Sequence, residues 1–167
     1  MTGYDNVQTA ISLTGSQPQT ALAALCALSD ATFGLKLCTI SLNDPVTEEG
    51  IRVYSNMPDA FPLSGRKPRA ETYWSKWVLD DQKTFVANDS AGIAEVFFDH
   101  ELINSLGLES VINVPIVVNG YTIGSVNCLH EAGHYTAERV AASENIKLPG
   151  AACLLLAQSI EAGKLWL

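Results

Sequence analysis

Two long runs, Ser110–Val118 and Tyr121–His130, flank the dipeptide Asn119-Gly120. Asn and Gly both tolerate positive φ, which a tight turn between antiparallel strands needs, so the runs are predicted to pair as a β-hairpin. Both are apolar at nearly every position instead of at alternate ones. A strand of that kind must be covered on each face, which puts the hairpin at the centre of a sheet between two layers of helices or loops.

The rest of the chain supplies candidate coverings. Ser16-Gln17-Pro18-Gln19 reads as a capping box opening a helix, in which Ala21, Leu22, Ala24, Leu25 and Leu28 recur at helical spacing. Gly34 is suited to end it. Residues 35–42 and 50–54 are short apolar stretches around Asn43-Asp44-Pro45 and are predicted to be neighbouring antiparallel strands. Residues 55–69 hold three prolines and Gly65, too irregular for either period, and residues 70–79 resume a helical pattern with Tyr73, Trp74, Trp77 and Val78. Residues 84–87 fit a short strand, Asp99 caps a helix running to Leu106 with Gly107 at its stop, and Thr136 caps a terminal helix interrupted at Pro149. At 167 residues the chain is the size of one domain. The expected division is an N-terminal segment 1–15, the domain 16–162 and a tail 163–167.

Ten basic residues against eighteen acidic ones give a net charge of -8, which repels a phosphate backbone, so nucleic acid is not an expected partner. The apolar run 151–157 is shorter than the roughly 20 residues that span a bilayer. No basic leader precedes an apolar segment at the start. A cytoplasmic protein with no membrane partner is expected. Cys26, Cys38, Cys128 and Cys153 sit in apolar stretches without a C-x-x-C pair, as buried thiols in a reducing compartment do.

Polar residues inside the hairpin are the first candidates for a site. A three-residue loop would set Asn113 opposite Ser125 and Val111 opposite Asn127, gathering Asn113, Ser125 and Asn127 on one face, where they can satisfy one another or a ligand. A two-residue loop would shift the register by one residue and separate Asn113 from Asn127. Tyr73, Trp74 and Trp77 suit either plain core or the wall of a pocket for a planar or apolar ligand. Arg66, Lys67 and Arg69 form either a solvated basic loop or a lure for an anion at the pocket mouth. Cys128, His130 and His134 have a spacing that zinc or haem iron can use, yet they lie at a strand end and in the Gly133 turn, and no metal or cofactor is assigned.

The order helix, two strands, irregular loop and helix, strand, helix, hairpin, helix resembles the GAF domain family over nearly the whole chain. Ser110-Val111-Ile112-Asn113-Val114-Pro115-Ile116, the Gly120 turn and Ile123-Gly124-Ser125-Val126-Asn127-Cys128-Leu129 are similar to that family's run of Ser, apolar positions and Val-Pro-Ile, followed by Ile-Gly-Val-Leu. The resemblance implies an α+β, GAF/PAS-like fold: a central antiparallel sheet of five to six strands, terminal helices on one face, and a ligand pocket covered by loops and helices on the other. It points to Tyr73, Trp74, Trp77, Val111, Asn113, Ser125 and Asn127 as ligand-binding residues of a small-molecule sensor. It also implies a homodimer through the terminal helices, to which Leu154, Leu155, Leu156, Ile160, Leu165, Trp166 and Leu167 would add apolar surface.

Family members bind ligands as different as cyclic nucleotides, bilins, haem, nitrate and amino-acid derivatives, or nothing, so a dimerisation or interaction module is the alternative function. One relative is an enzyme, the free methionine-R-sulfoxide reductase. This chain departs from it, having Val111, Asn127 and Leu129 where its carboxylates would fall and no cysteine in residues 55–70 or 88–107. The same missing cysteine speaks against a covalent bilin, and the Asn-Lys-Phe-Asp-Glu pattern of cyclic-nucleotide members is absent. No catalytic residue is therefore expected.

Overall fold

The computed structural model describes residues 3–163. An additional helix, α1 (Gly3–Ser12), occupies the N-terminal segment and buries Val7 and Ala10. It packs on α2 (Gln19–Phe33), whose inward stripe is Ala21, Leu22, Leu25, Cys26, Leu28 and Phe33. The expected capping box does not form. Ser16 has φ 55°, and Gln17 instead joins the two helices, donating to the Ala10 carbonyl at 2.7 Å and accepting from the Ala21 N–H at 3.3 Å. Gly34, at φ 80°, ends α2 by donating to the Asp30 carbonyl.

The sheet comprises β1 (Leu37–Asp44), β2 (Glu49–Ser55), β3 (Lys67–Pro68), β4 (Phe85–Ala87), β5 (Ser110–Val118) and β6 (Tyr121–His130). The order is β3-β2-β1-β6-β5-β4, every pairing antiparallel, with the hairpin central as its unalternating sequence requires. Its turn has two residues, Asn119 at φ 51° and Gly120 at φ 78°. The three-residue register expected from the polar positions is therefore corrected. Val118 pairs with Tyr121 and Val117 with Thr122, but Ile116 then pairs with Gly124, leaving Ile123 as a bulge. The added residue restores the parity that a two-residue turn alone would break, so Asn113 lies opposite Asn127 and Pro115 opposite Ser125.

A second bulge falls in β2. Ile40 pairs with Tyr54 and Ser41 with Arg52, so Val53 is the extra residue and joins the helix-side core. Arg52 consequently lies on the other face, beside Ser41.

That helix-side core sets Cys38, Ile40, Ile112, Val114, Ile116, Val126 and Cys128 against α2 and the terminal helix. The terminal helix starts as α5 (Ala137–Ala142), capped by the Thr136 side chain; a tight turn over Ser143–Ile146 then leads into α6 (Lys147–Glu161). Pro149 lies in the first turn of α6, where its missing N–H has no intrahelical partner to lose, so it does not interrupt the helix. By length and composition the run Ala137–Glu161 is apolar enough to cross a membrane; Ile146, Cys153, Leu154 and Ala157 are fully buried in this core, while Leu148 and Leu155 are exposed.

The opposite face is covered by shorter pieces: a π-helical turn over Ser75–Asp80, α3 (Ser90–Ala94) and α4 (His100–Ser105). Of these α3, capped by Asp89, was not expected. They enclose a second core of Leu37, Phe61, Val78, Phe85, Ile93, Ile103, Leu108, Val111 and Leu129.

Helix and sheet meet closely at Gly124. A Cβ there would stand 2.2 Å from the Ser41 carbonyl oxygen and 2.4 Å from Leu154 Cδ2. Gly124→Val is expected to destabilise the domain by about 3 kcal/mol or more, because backbone cannot yield to it. Urea denaturation of the two proteins measures this, and a midpoint within error of the parent contradicts the tight contact.

Candidate functional site

The inner face of the sheet carries the polar row expected of the hairpin. Asn113 is buried; its Nδ2 donates to Asn127 Oδ1 at 2.9 Å, and its Oδ1 accepts from Trp74 Nε1 at 2.9 Å. Trp74 is brought there by the segment leading into the π-helical turn. That turn is pinned to the hairpin by Thr122 Oγ1 donating to the Leu79 carbonyl at 2.8 Å, while beyond it Gln82 Nε2 donates to the Gly120 carbonyl at 2.7 Å. Ser125 faces the same side, is buried, and its Oγ has no hydrogen-bond partner.

Above this row lies a cavity of about 120 Å³. Trp74, Val111, Asn113 and Asn127 line it, as the sequence suggested, together with Thr39, Arg52, Phe61 and Asp99. Tyr73, Trp77 and Ser125 are not among the lining residues. Tyr73 is 63% exposed and stacks on Trp77, with ring centroids 5.8 Å apart. Trp77 packs in the inner core, donating from Nε1 to the Thr84 carbonyl at 3.2 Å beneath the Lys83 ammonium.

Arg52 and Asp99 are not among the site residues that the sequence suggests. Arg52 is held by Nη1 donating to the Pro62 carbonyl at 3.1 Å and by the Phe61 ring, whose centroid is 5.7 Å away, while its Nε is buried without a partner. Burial draws its pKa below the ordinary arginine range, and the charge of Asp99 opposes that shift. Asp99 does precede α4, but its side chain does not cap the helix, and the residue is among those that line the cavity. The available signal was a lone arginine amid the apolar residues of 50–54.

Two of the three cations in the basic loop face carboxylates, and Lys67 is exposed on β3. Arg69 forms a two-pronged pair with Asp80, both contacts at 2.8 Å, and Arg66 stands 3.7–3.9 Å from Asp44, Glu49 and Glu161. Beside them a wider cleft of about 540 Å³ opens between the two hairpin turns and the π-helical turn. Trp74 lines both the cleft and the inner cavity. The inner cavity is the candidate ligand site because it lies on the inner face of the sheet among the buried apolar walls of Leu37, Phe61, Val111 and Leu129, with Arg52 Nε unpartnered; the cleft also holds buried atoms without hydrogen-bond partners, Asn43 Nδ2 and Arg69 Nε.

The Cys128, His130, His134 string is divided. Cys128 is sealed in the helix-side core, whereas His130 and His134 stack with centroids 3.5 Å apart at the surface end of β6. Arg139 lies against His134 and donates to the Phe33 carbonyl at 3.1 Å. Partial burial and these neighbouring charges, His134 first, hold the His130 pKa below its usual value. Among the described residues no group of three His, Cys, Asp or Glu side chains is arranged to hold a metal.

The GAF domain family matches residues 17–146, most of the chain. This protein belongs to that family. The GAF domain of a two-component sensor histidine kinase from Bacillus halodurans superposes with a TM-score of 0.66 at 13% identity, over 84% of this chain and 95% of that one. The GAF domain from a phosphoenolpyruvate-protein phosphotransferase of Coxiella burnetii gives 0.64 at 16% identity, over 99% and 98%. The chromophore-binding domain of an unusual bacteriophytochrome from R. palustris gives 0.59 at 13%, over 97% of this chain and 62% of that one. At such identities the likeness is one of fold. No curated protein matches the sequence. GAF domains are sensory and regulatory domains, and many bind ligands.

In this GAF domain Asn113 joins Trp74 to Asn127, so its loss strands a donor and an acceptor. Asn113→Ala is expected to cost about 2 kcal/mol or more, and Trp74→Phe, which strands only the Asn113 oxygen, to lose less through hydrogen bonding. A double-mutant cycle in urea measures the coupling, and strictly additive effects contradict the bond.

Proposed function

We propose that this GAF domain is a sensory or regulatory module that binds a small molecule in its inner cavity. The observation that carries the reading is the cavity itself: aromatic and aliphatic walls around Arg52, Thr39, Asn113 and Asn127, with Arg52 Nε buried and unpartnered. A buried polar group without a partner is costly, and a ligand that supplies one recovers that cost. Trp74 and Asn113 would orient the ligand, Val111 would pack against it, and Asn127 would offer its amide. No catalytic step is assigned. Burial raises the thiol pKa of Cys153 to about 12, and Cys26 and Cys38 are shifted upward among their neighbouring thiols, so none is poised as a nucleophile. The acidic balance disfavours nucleic acid, and Ile146, Cys153, Leu154 and Ala157 of the apolar run Ala137–Glu161 pack into the core; the reading is of a cytoplasmic protein without a membrane partner.

One observation favours a different reading. Trp74, Asn113 and Asn127 satisfy one another, and 120 Å³ is small for a ligand site, as an interaction module with a self-filled interior would have it. Thermal unfolding across a broad metabolite panel separates the two. A specific ligand at 100 times its dissociation constant adds about 2.7 kcal/mol. A panel without a stabilising compound, together with native mass spectra free of adducts, selects the module.

We also propose a homodimer through the terminal helices. Leu148 and Leu155, seven residues apart on α6, are 80% and 41% exposed, and Tyr4 of α1 is 46% exposed on the same helical layer. Leu154 is instead fully buried, and the tail residues Leu165, Trp166 and Leu167 lie outside the described residues. A two-fold pair is the usual closed arrangement for such a surface. Sedimentation of the full chain is expected to give a dimer that Leu148→Glu with Leu155→Glu converts to monomer; a monomeric parent removes the proposal.

A further inference from the structure

We propose that the exposed side of the α3–α4 segment is a docking surface for a basic amphipathic helix of a partner protein. Phe97 and Phe98 are neighbours with opposite placements. Phe97 packs against the inner core, its ring centroid 6.1 Å from that of Phe85, while Phe98 is 97% exposed. Leu102 and Leu106, four and eight residues further on, are exposed as well, whereas Ile103 between them is buried. Every fourth residue of a helix falls on one side, so α4 and the residues flanking it carry an apolar ridge outward and hold to the domain through Ile103. Apolar residues scattered singly are ordinary on a surface; a ridge of three, led by a phenylalanine almost wholly in solvent, marks association.

The charge along the ridge selects the partner. Residues 88–109 contain Asp89, Glu95, Asp99, Glu101 and Glu109 and neither lysine nor arginine. None of these five carboxylates forms an ion pair with another described residue. Glu95 stands three residues before Phe98, Glu101 directly before Leu102 and Glu109 three after Leu106, so acid accompanies the ridge along its length. A groove of about 610 Å³ along β4 and α3 has the same make-up: Tyr73, Phe85 and Val96 are among its lining residues, and Asp89 and Glu95 are the charged ones. A second copy of this chain would set like charge against like, and so would an anionic membrane. A protein that carries large apolar anchors amid lysine and arginine meets both features. Anchors one helical turn apart match the pitch of a second α-helix, whose own ridge packs beside them. The surface is separate from the terminal helices, which cover the other face of the sheet, and it needs no ligand in the inner cavity.

The test uses the full chain, labelled with nitrogen-15, and a synthetic peptide of about five helical turns in which leucine and lysine alternate with helical period. One control has the same composition in scrambled order; the other has glutamate in place of every lysine. The basic amphipathic peptide is expected to bind about tenfold more tightly than either control and to shift the backbone amides of residues 95–109. Phe98→Ser with Leu102→Ser is expected to weaken it by about tenfold or more, with the thermal midpoint and the sedimentation of the chain unchanged. Absence of binding, equal affinity for the scrambled peptide, shifts confined to other surfaces, or full affinity in a folded double variant each overturns the proposal. The comparison of the three peptides on the parent protein decides the matter even if the variant fails to fold. Loss of a dimer in the double variant makes the ridge a contact between copies, and flotation of the parent with phosphatidylcholine vesicles, abolished in the variant, makes it a membrane surface; either result overturns the helix partner. The metabolite panel reads the inner cavity and its outcome bears on that site alone.

Discussion

Val53 in β2 and Ile123 in β6 are single extra residues in otherwise regular strands, and each turns the alternation of its strand over by one step. Side chains in a strand alternate with period two, so a one-residue slip exchanges the two faces. Without the Val53 bulge, counting on from Tyr54 would turn Arg52 toward the helix-side core. Without the Ile123 bulge, the two-residue turn would put Asn127 and Ser125 on the face opposite Asn113. The cavity, its charge and its amide chain all depend on these two irregularities.

The faces that result differ in chemistry. Against α2 and α6 the sheet presents Cys38, Ile40, Val114, Ile116 and Val126, a layer in which thiols act as small apolar groups. Toward the cavity it presents Thr39, Ser41, Arg52, Asn113 and Asn127. Long helices suit the first face because one amphipathic stripe can cover it. Short segments suit the second, since each brings one or two particular side chains to it: Trp74 from the residue before the π-helical turn, Asp99 from the residue before α4, Phe61 from the proline-containing loop. A π-helical turn is a less regular element than an α-helix and is often found where a side chain has to be aimed.

Much of this arrangement is written in local sequence. Asn119-Gly120 fixes the turn, Gly34 and Thr136 mark helix ends through the conformation and hydroxyl they supply, and the unalternating strands demand a cover on both faces. The GAF pattern in the hairpin then supplies the fold. What stays hidden is set by partners distant in the chain. Neither bulge has a local signature, since Val53 and Ile123 are ordinary strand residues whose displacement is decided by packing against helices. Asp99 has the residue type and position of a cap, and the role of Gln17 is not local because its bonds run across a helix corner to Ala10 and Ala21. Trp74 and Trp77, three residues apart and alike in type, were indistinguishable until the chain showed that one indole reaches Asn113 and the other the Thr84 carbonyl.

The glycines where α6 meets the sheet bear on how rigidly the two faces are joined. Gly124 has no room for a methyl group beside Leu154, and a Cβ on Gly150 would stand 2.7 Å from Ile116 Cδ1. The helix therefore rides almost directly on the backbone of the hairpin, without the layer of adjustable side chains that usually cushions such a contact. Close-packed matter of this kind is stiff and transmits strain instead of absorbing it. In mechanical terms the hairpin and α6 form one lever: Asn113 and Asn127 stand on its inner side, Leu148 and Leu155 on its outer side, and a tilt imposed at one end arrives at the other with little lost to compression.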